Sequence, residues 1–228
     1  MKKLLIMAIA LLVSGVLQAQ ETRVKTEKKS FLTLHGGPSF PVGDFGSDNM
    51  GNQYAGFAKT GYTVNLNYGY LFNKNAGLTA SAFYNSFGTK QFALSFLEGS
   101  GGTVTLDMDH WKFYGLTAGP LMSFDVSKNI YSDIKVMAGM VNANSPKISY
   151  SGIVMANGDW SWAPALQGGI SLRMGTGSNI FVFVNADYMY MKPKFSYTYT
   201  DENDQLVKED IRQKMSVVNV SAGIGINF

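Results

Sequence analysis

The sequence predicts an all-β protein, a transmembrane antiparallel β-barrel of about eight strands with short periplasmic turns and long extracellular loops. Three observations carry the prediction. Apolar residues alternate with small or polar ones along several segments of about 11 residues, the length a strand tilted near 45° needs to cross a bilayer. Short and long connections alternate along the chain, an arrangement that a soluble sandwich has no reason to adopt. Charged residues are sparse at 15%, while aromatics reach 13% and glycines number 25, which fits many tight turns and argues against disorder or a helical bundle.

The first segment lies outside that pattern. "MKKLLIMAIALLVSGVLQAQ" has two lysines, an apolar run and a small residue at Ala19, the order of parts in a secretory signal peptide. Residues 1–19 are therefore expected to be cleaved on export. A transmembrane helix needs about 20 apolar residues without interruption, and Ser14, Gly15 and Gln18 break this run. Residues 20–29 read as a polar tail and residues 30–228 as the barrel domain, with no further domain expected after it. The chain has no cysteine, so neither a lipidated N-terminal cysteine nor a disulfide framework is available. Taking Lys2 and Lys3 from 19 basic residues leaves 17 against 16 acidic ones, a near-neutral balance that gives no reason to expect a nucleic-acid partner.

Eight strands are expected near 30–38, 58–72, 76–88, 109–125, 130–143, 161–174, 180–192 and 214–228. The second sets Tyr62, Val64, Leu66, Tyr68, Tyr70 and Phe72 against Thr63, Asn65, Asn67 and Gly69. The sixth sets Trp162, Leu166, Ile170 and Leu172 against Gln167, Ser171 and Arg173, and the seventh sets Val182, Val184, Tyr188 and Tyr190 against Asn185 and Asp187. In the eighth, Val218, Val220, Ala222, Ile224, Ile226 and Phe228 alternate with Asn219, Ser221, Gly223, Gly225 and Asn227. Between them, "NKN" (73–75), "VSKN" (126–129) and "GTGSN" (175–179) are short, whereas the connections near 39–57, 88–108, 143–160 and 192–213 are long. An even strand number returns both chain ends to one side.

This topology predicts aromatics on the outward face at both interfaces. Tracing alternate strands up and down places Tyr62, Tyr84, Tyr114, Trp162, Tyr188 and Tyr190 at the external end. Tyr70, Phe72, Phe124 and Phe228 fall at the periplasmic end. The signal peptide, the eight amphipathic strands and the terminal aromatic together resemble the small outer-membrane β-barrel proteins, the OmpA/OmpX/OmpW-like porin family. The resemblance covers nearly the whole mature chain as a pattern rather than as a sharp motif. It implies residence in the outer membrane among its lipids. It also implies recognition of the last strand by the barrel-assembly machinery, carried here by Ile224, Ile226 and Phe228, with interfacial anchoring as the alternative role for Phe228.

On the inward parity lie Asp133, Lys135, Arg173 and Asp187, with Gln167, Asn65, Asn67, Asn85 and Asn219 around them. Eight strands leave a bore just wide enough for side chains to fill, so these residues are expected to form a polar network running down the barrel. Opposite charges inside it should pair. A gated proton or ion path is the alternative. Residues 91–113 and 194–214 each read as two strand arms around a turn, hairpins standing above the membrane. Phe195, Tyr197 and Tyr199 share an inward parity: either a bulge flips them or they line the barrel mouth, and they pair across their own hairpin or belong to an edge that captures a surface partner.

"DENDQ" lacks the spacing and glycine of a calcium loop, and "GTG" is a turn without a phosphate-binding helix, so neither metal nor cofactor is expected. The two histidines, His35 and His110, have no recognisable nucleophile beside them in sequence, and no enzyme is expected. The functional expectation is a structural or surface-interaction role in the cell envelope. The alternatives are a small pore or carrier for ions or apolar solutes and, more remotely, a lipid-modifying barrel enzyme.

Overall fold

The structure, a computed structural model, describes residues 29–228 apart from 50, 53, 91, 96–102, 151–152, 157, 177 and 201–205. At 92–95, 103–107, 148, 150, 153–156, 197–200 and 206–209 only the backbone is described. The expected signal peptide and almost all of the polar tail lie outside the described residues.

Eight strands form a closed barrel: β1 (Ser30–Val42), β2 (Ala58–Leu71), β3 (Ala76–Thr89), β4 (Trp111–Ser127), β5 (Ile130–Asn144), β6 (Trp160–Gly175), β7 (Ile180–Met191) and β8 (Met215–Asn227). Each pairs antiparallel with its sequence neighbour, and β1 closes on β8 through a register that runs from Phe31 opposite Asn227 to Val42 opposite Ser216. Closure leaves no unpaired barrel edge, which hydrocarbon would otherwise strip of hydrogen-bond partners. Among the described residues no helix is long and apolar enough to cross a membrane.

The alternation is realised in side-chain exposure. Along β2, Tyr62, Val64, Leu66, Tyr68 and Tyr70 are exposed while Thr63, Asn65, Asn67 and Gly69 are buried. Along β7, Ile180, Val182, Val184, Tyr188 and Tyr190 are exposed while Asn185 and Asp187 are buried. A chain that buries amides and exposes Val, Leu and Tyr is inverted relative to a water-soluble fold, and the inversion makes sense only when hydrocarbon wets the outside.

Both described chain ends and the short turns share one end of the barrel. In the turn before β3, Asn73 Oδ1 accepts from the backbone N–H groups of Asn75 (2.9 Å) and Ala76 (2.8 Å), a side chain standing in for a turn carbonyl. The β4–β5 turn places Asn129 at φ 71°, a left-handed conformation that asparagine tolerates better than most residues. The opposite end carries the long connections. Phe92–Ser95 pairs with Thr103–Met108, which pairs with Ile148–Tyr150, which in turn pairs with Ile153–Ala156. Lys194–Thr200 pairs with Leu206–Arg212. Both expected hairpins are present. The 143–160 connection, expected as a plain loop, supplies two further strands that join the first hairpin in one four-stranded sheet. Its strands are three and four residues long, too short to show a period.

Candidate functional site

The barrel interior divides into three storeys. At the turn end, Phe31, Leu121, Phe181 and Phe183 form an apolar floor. Inward glycines make room for it: a Cβ on Gly69 would fall 2.1 Å from Phe31 Cζ, and one on Gly225 would fall 2.2 Å from Phe181 Cζ. Glycines that count as the small, polar face of their strands thus seat aromatic rings from the neighbouring strands.

The middle storey is polar and holds the sequence-predicted residues. Arg173 on β6 meets Asp133 on β5 in a two-point ion pair: Nε donates to Oδ2 (2.7 Å) and Nη2 to Oδ1 (2.8 Å). Nη2 also donates to Ser123 Oγ on β4 (2.9 Å). The guanidinium carbon sits 4.4 Å from the Phe31 ring centroid, so the floor stacks beneath the cation. Asp187 accepts from Asn219 Nδ2 (2.9 Å) and from Asn185 Nδ2, and Ser39 Oγ donates to Asn219 Oδ1.

Gln167 Oε1 accepts from Thr117 Oγ1 (2.9 Å), Asn65 Nδ2 donates to Thr63 Oγ1 (2.9 Å), and Asn85 is fully buried with neither side-chain atom bonded among the described residues. Lys135 is 4% exposed and in ion-pair contact with neither carboxylate. The expected single network is therefore corrected: one charged pair closes, while Lys135 and Asp187 stay apart. Asp187 is instead satisfied by neutral amides, and the two cations and two carboxylates of this storey still balance in charge.

One cluster escaped sequence reasoning. His35 Nδ1 lies 2.8 Å from Ser221 Oγ, and Asn67 Nδ2 lies 2.9 Å from His35 Nε2. Serine, histidine and asparagine stand in line although 186 residues separate the first two. In this amide orientation Nδ2 of Asn67 donates to Nε2, which leaves Nδ1 to donate to Ser221 Oγ. All three side chains are at most 3% exposed. In this state the line is a structural hydrogen-bond chain. His110 is exposed and rests against Asp109 (3.3 Å). No described group of three or more His, Cys, Asp or Glu side chains could hold a metal.

The storey at the loop end is mainly apolar, with Asn85 set between Phe83 and Phe87 on the inward face of β3, which corrects the expectation of a polar bore along the whole axis. Phe83, Phe87, Phe113, Val141, Met189, Met191, Met215 and Val217 point inward and are buried. Phe45, in the short 3₁₀ turn Gly43–Gly46, drops into them fully buried, its ring centroid 5.3 Å from that of Phe87 and 5.5 Å from that of Trp111. The turn leaves β1 through Gly43 at φ 59°, a conformation glycine adopts without steric cost.

Several contacts hold residues 43–57 over the mouth: Trp111 Nε1 donates to Gly56 O (2.8 Å), Gln213 Nε2 to Tyr54 O (2.7 Å), and Lys90 Nζ to Gly46 O (3.1 Å) and Asp48 Oδ2 (2.9 Å). The Lys90 cation beside it holds the Asp48 carboxyl below the usual carboxylate range. Phe195 lines the mouth and packs on Trp111 at 5.7 Å, as its parity allowed; the side chains of Tyr197 and Tyr199 lie outside the described residues.

Outside, Tyr62, Tyr114, Trp162, Tyr188 and Tyr190 are exposed toward the loop end and Tyr84 is half-buried, its ring 6.1 Å from that of Tyr62. Trp160, which the sequence reading passed over, joins them at 5.6 Å from Tyr114. Toward the turn end Tyr70, Phe72 and Phe228 are exposed and Phe124 is half-buried; Phe228 stands 6.3 Å from Tyr68 across the β1–β8 closure. Ile224 and Ile226 are exposed on the same face of β8.

No protein-family model matches the sequence, and no curated protein matches it. Solved structures do match. The outer membrane protein OprG from Pseudomonas aeruginosa superposes with a TM-score of 0.57 at 14% identity, over 89% of this chain and 97% of its own. A major outer membrane protein from Thermus thermophilus gives 0.55 at 10% identity, over 89% and 100%. Neisserial surface protein A gives 0.53 at 12% identity, over 87% and 97%. Identities this low speak for fold alone. The chain has the fold of the small outer-membrane β-barrels, a closed eight-stranded antiparallel barrel with an apolar outer wall.

Proposed function

We propose that the protein is exported with a cleaved signal peptide and inserts in the outer membrane as a barrel with a structural or surface-interaction role in the cell envelope. One observation carries this reading: side chains fill the interior at both ends, with the Phe45 cluster above and the Phe31 cluster below, so the working surfaces are the outer wall and the loop end. The short turns face the periplasm and the long connections face outward. The two outward aromatic belts sit at the lipid interfaces, and the middle-storey residues Asp133, Lys135, Arg173, Asp187, Gln167, Asn65 and Asn67 serve as a polar packing layer. Ile224, Ile226 and Phe228 present the last strand to the barrel-assembly machinery. Surface ligands are met by the loop-end sheets, and no reaction is catalysed, since the Ser221–His35–Asn67 line is buried inside the filled barrel, away from any substrate.

Refolded protein in planar bilayers is expected to show no conductance steps; resolved single-channel steps overturn the closed-barrel reading. Trimming residues 195–210 is expected to remove binding to envelope or host partners, and unchanged binding removes the loops from the proposal. A second reading, a carrier for small apolar solutes, is favoured by the three methionines Met189, Met191 and Met215 in the loop-end cluster, because unbranched thioether chains repack around varied shapes. Uptake of small alkanes or indoles into proteoliposomes tests it.

A further inference from the structure

Near the loop end the strands β1 and β2 part. Pairing between β1 and β2 runs from Ser30 opposite Tyr70 to Ser39 opposite Gly61 and then stops, although β1 continues to Val42 along β8 and β2 begins at Ala58. Pro38 and Pro41 offer no amide hydrogen here. On the other side of β2 the register with β3 shifts between Ala58 and Gly61. By the parity of β2 the odd residues face inward, as Thr63, Asn65 and Asn67 do. The bulge reverses this for Lys59: Ala58 takes the inward place at 1% exposure, and Lys59 and Thr60 are exposed side by side. The result is a cleft of about 560 Å³ opening on the outer wall, with Phe40 and Pro41 on one side, Lys59 and Thr60 on the other, and Gly46 and Lys90 above.

We propose that this cleft is a binding site for the net-anionic phosphate headgroup of an outer-leaflet lipid, whose acyl chain lies down the wall over Phe40. It rests on the outer-membrane placement proposed above. Three features select this occupant. The cleft stands directly beyond Tyr62, which pairs with Pro38, and so at the aromatic belt where lipid headgroups lie. Its charge is unbalanced in favour of an anion: Lys90 is paired with Asp48, whereas Lys59 has no carboxylate partner among the described residues. Its walls are split, with an apolar side of Phe40 and Pro41 continuous with the lipid-facing surface and a cationic, hydroxyl-bearing side for the phosphate. A cation that the fold turns out of the lumen at the cost of a bulge is a placed group. Its lipid partner approaches from the side, within the membrane.

The test uses the full mature chain in mild detergent, titrated with phosphatidic acid or phosphatidylcholine and read by native mass spectrometry. Phosphatidic acid is expected to be retained at least about fivefold more tightly, with Lys59→Glu reducing it to the level of phosphatidylcholine. Lys128→Glu, in the turn at the far end, is expected to change nothing, and heat-modifiable migration confirms that both variants are folded. Equal retention of the two lipids, or undiminished phosphatidic acid binding by Lys59→Glu, overturns the proposal. Displacement of the lipid by millimolar inorganic phosphate overturns it too, because the ligand would then be a soluble anion. If membrane fractionation places the protein elsewhere while the lipid preference persists, the localisation reading fails and the site stands.

Discussion

The middle and loop-end storeys of the barrel interior are built from the same strands and the same inward parity, yet they are held by opposite means. Below, Asp133, Arg173, Asp187 and their amide and hydroxyl partners are fixed by directional hydrogen bonds between neighbouring strands. Above, Phe45, Phe87, Phe113 and Met215 are fixed by packing alone, and the cluster accepts a residue from a connection as readily as from a strand. The difference shows that being inside a membrane barrel does not itself require polarity. A lumen residue must be satisfied by its neighbours, and either apolar contact or a closed hydrogen-bond set does that.

The comparison is broken most severely by orphaning a charge. Asp133→Ala leaves Arg173 buried with only Ser123 Oγ among its hydrogen-bond acceptors, and removing one partner of a buried pair costs about 3–5 kcal/mol. Urea unfolding in lipid vesicles, followed by heat-modifiable migration, is expected to show that loss. The double change Asp133→Leu with Arg173→Met should recover most of it, since apolar replacement of a whole pair is close to neutral or stabilising; a double variant as unstable as the single one contradicts the account.

Phe45→Ala tests the upper storey. Emptying a fully buried phenylalanine site costs about 3–5 kcal/mol in a rigid core. The expected loss here is nearer about 2–3 kcal/mol, because residues 43–57 can settle into the space. The same variant should increase protease cleavage within 43–57 without cutting the strands. Unchanged cleavage would mean that Trp111, Gln213 and Lys90 hold the segment unaided.

The smallest effect concerns the Lys90–Asp48 pair on the exposed rim. The Asp48 carboxyl is held below its ordinary value of 3.8 by Lys90, so its contribution is complete above that value. It fades as the pH falls through the lower, folded value. Asp48→Asn should remove this pH dependence from cleavage of the 43–57 segment between neutral and strongly acidic buffer, and should leave barrel melting unchanged.

The strands were legible because a bilayer imposes a period of two over a fixed length: "YTVNLNYGYLF" becomes β2 with its six even residues outward almost to the last position. The inward parity of Asp133, Lys135, Arg173 and Asp187 was legible for the same reason. Their partners were not. Ser123 and Asp133 reach Arg173 from different strands, and His35 meets Ser221 only because β1 closes on β8. The apolar upper storey was hidden because Phe83, Phe87, Met189 and Met191 stand in stretches with apolar residues on both faces, where alternation carries no contrast.

The sequence by itself therefore determined the number and order of the barrel strands, their general facing and the end at which loops collect, since all of these follow from local alternation and the length of each connection. Tertiary structure alone decided which cation takes which carboxylate, that Phe45 stoppers the mouth, and that a bulge turns Lys59 outward. Those outcomes depend on distances between residues far apart in the chain, and a one-dimensional period holds no information about such distances.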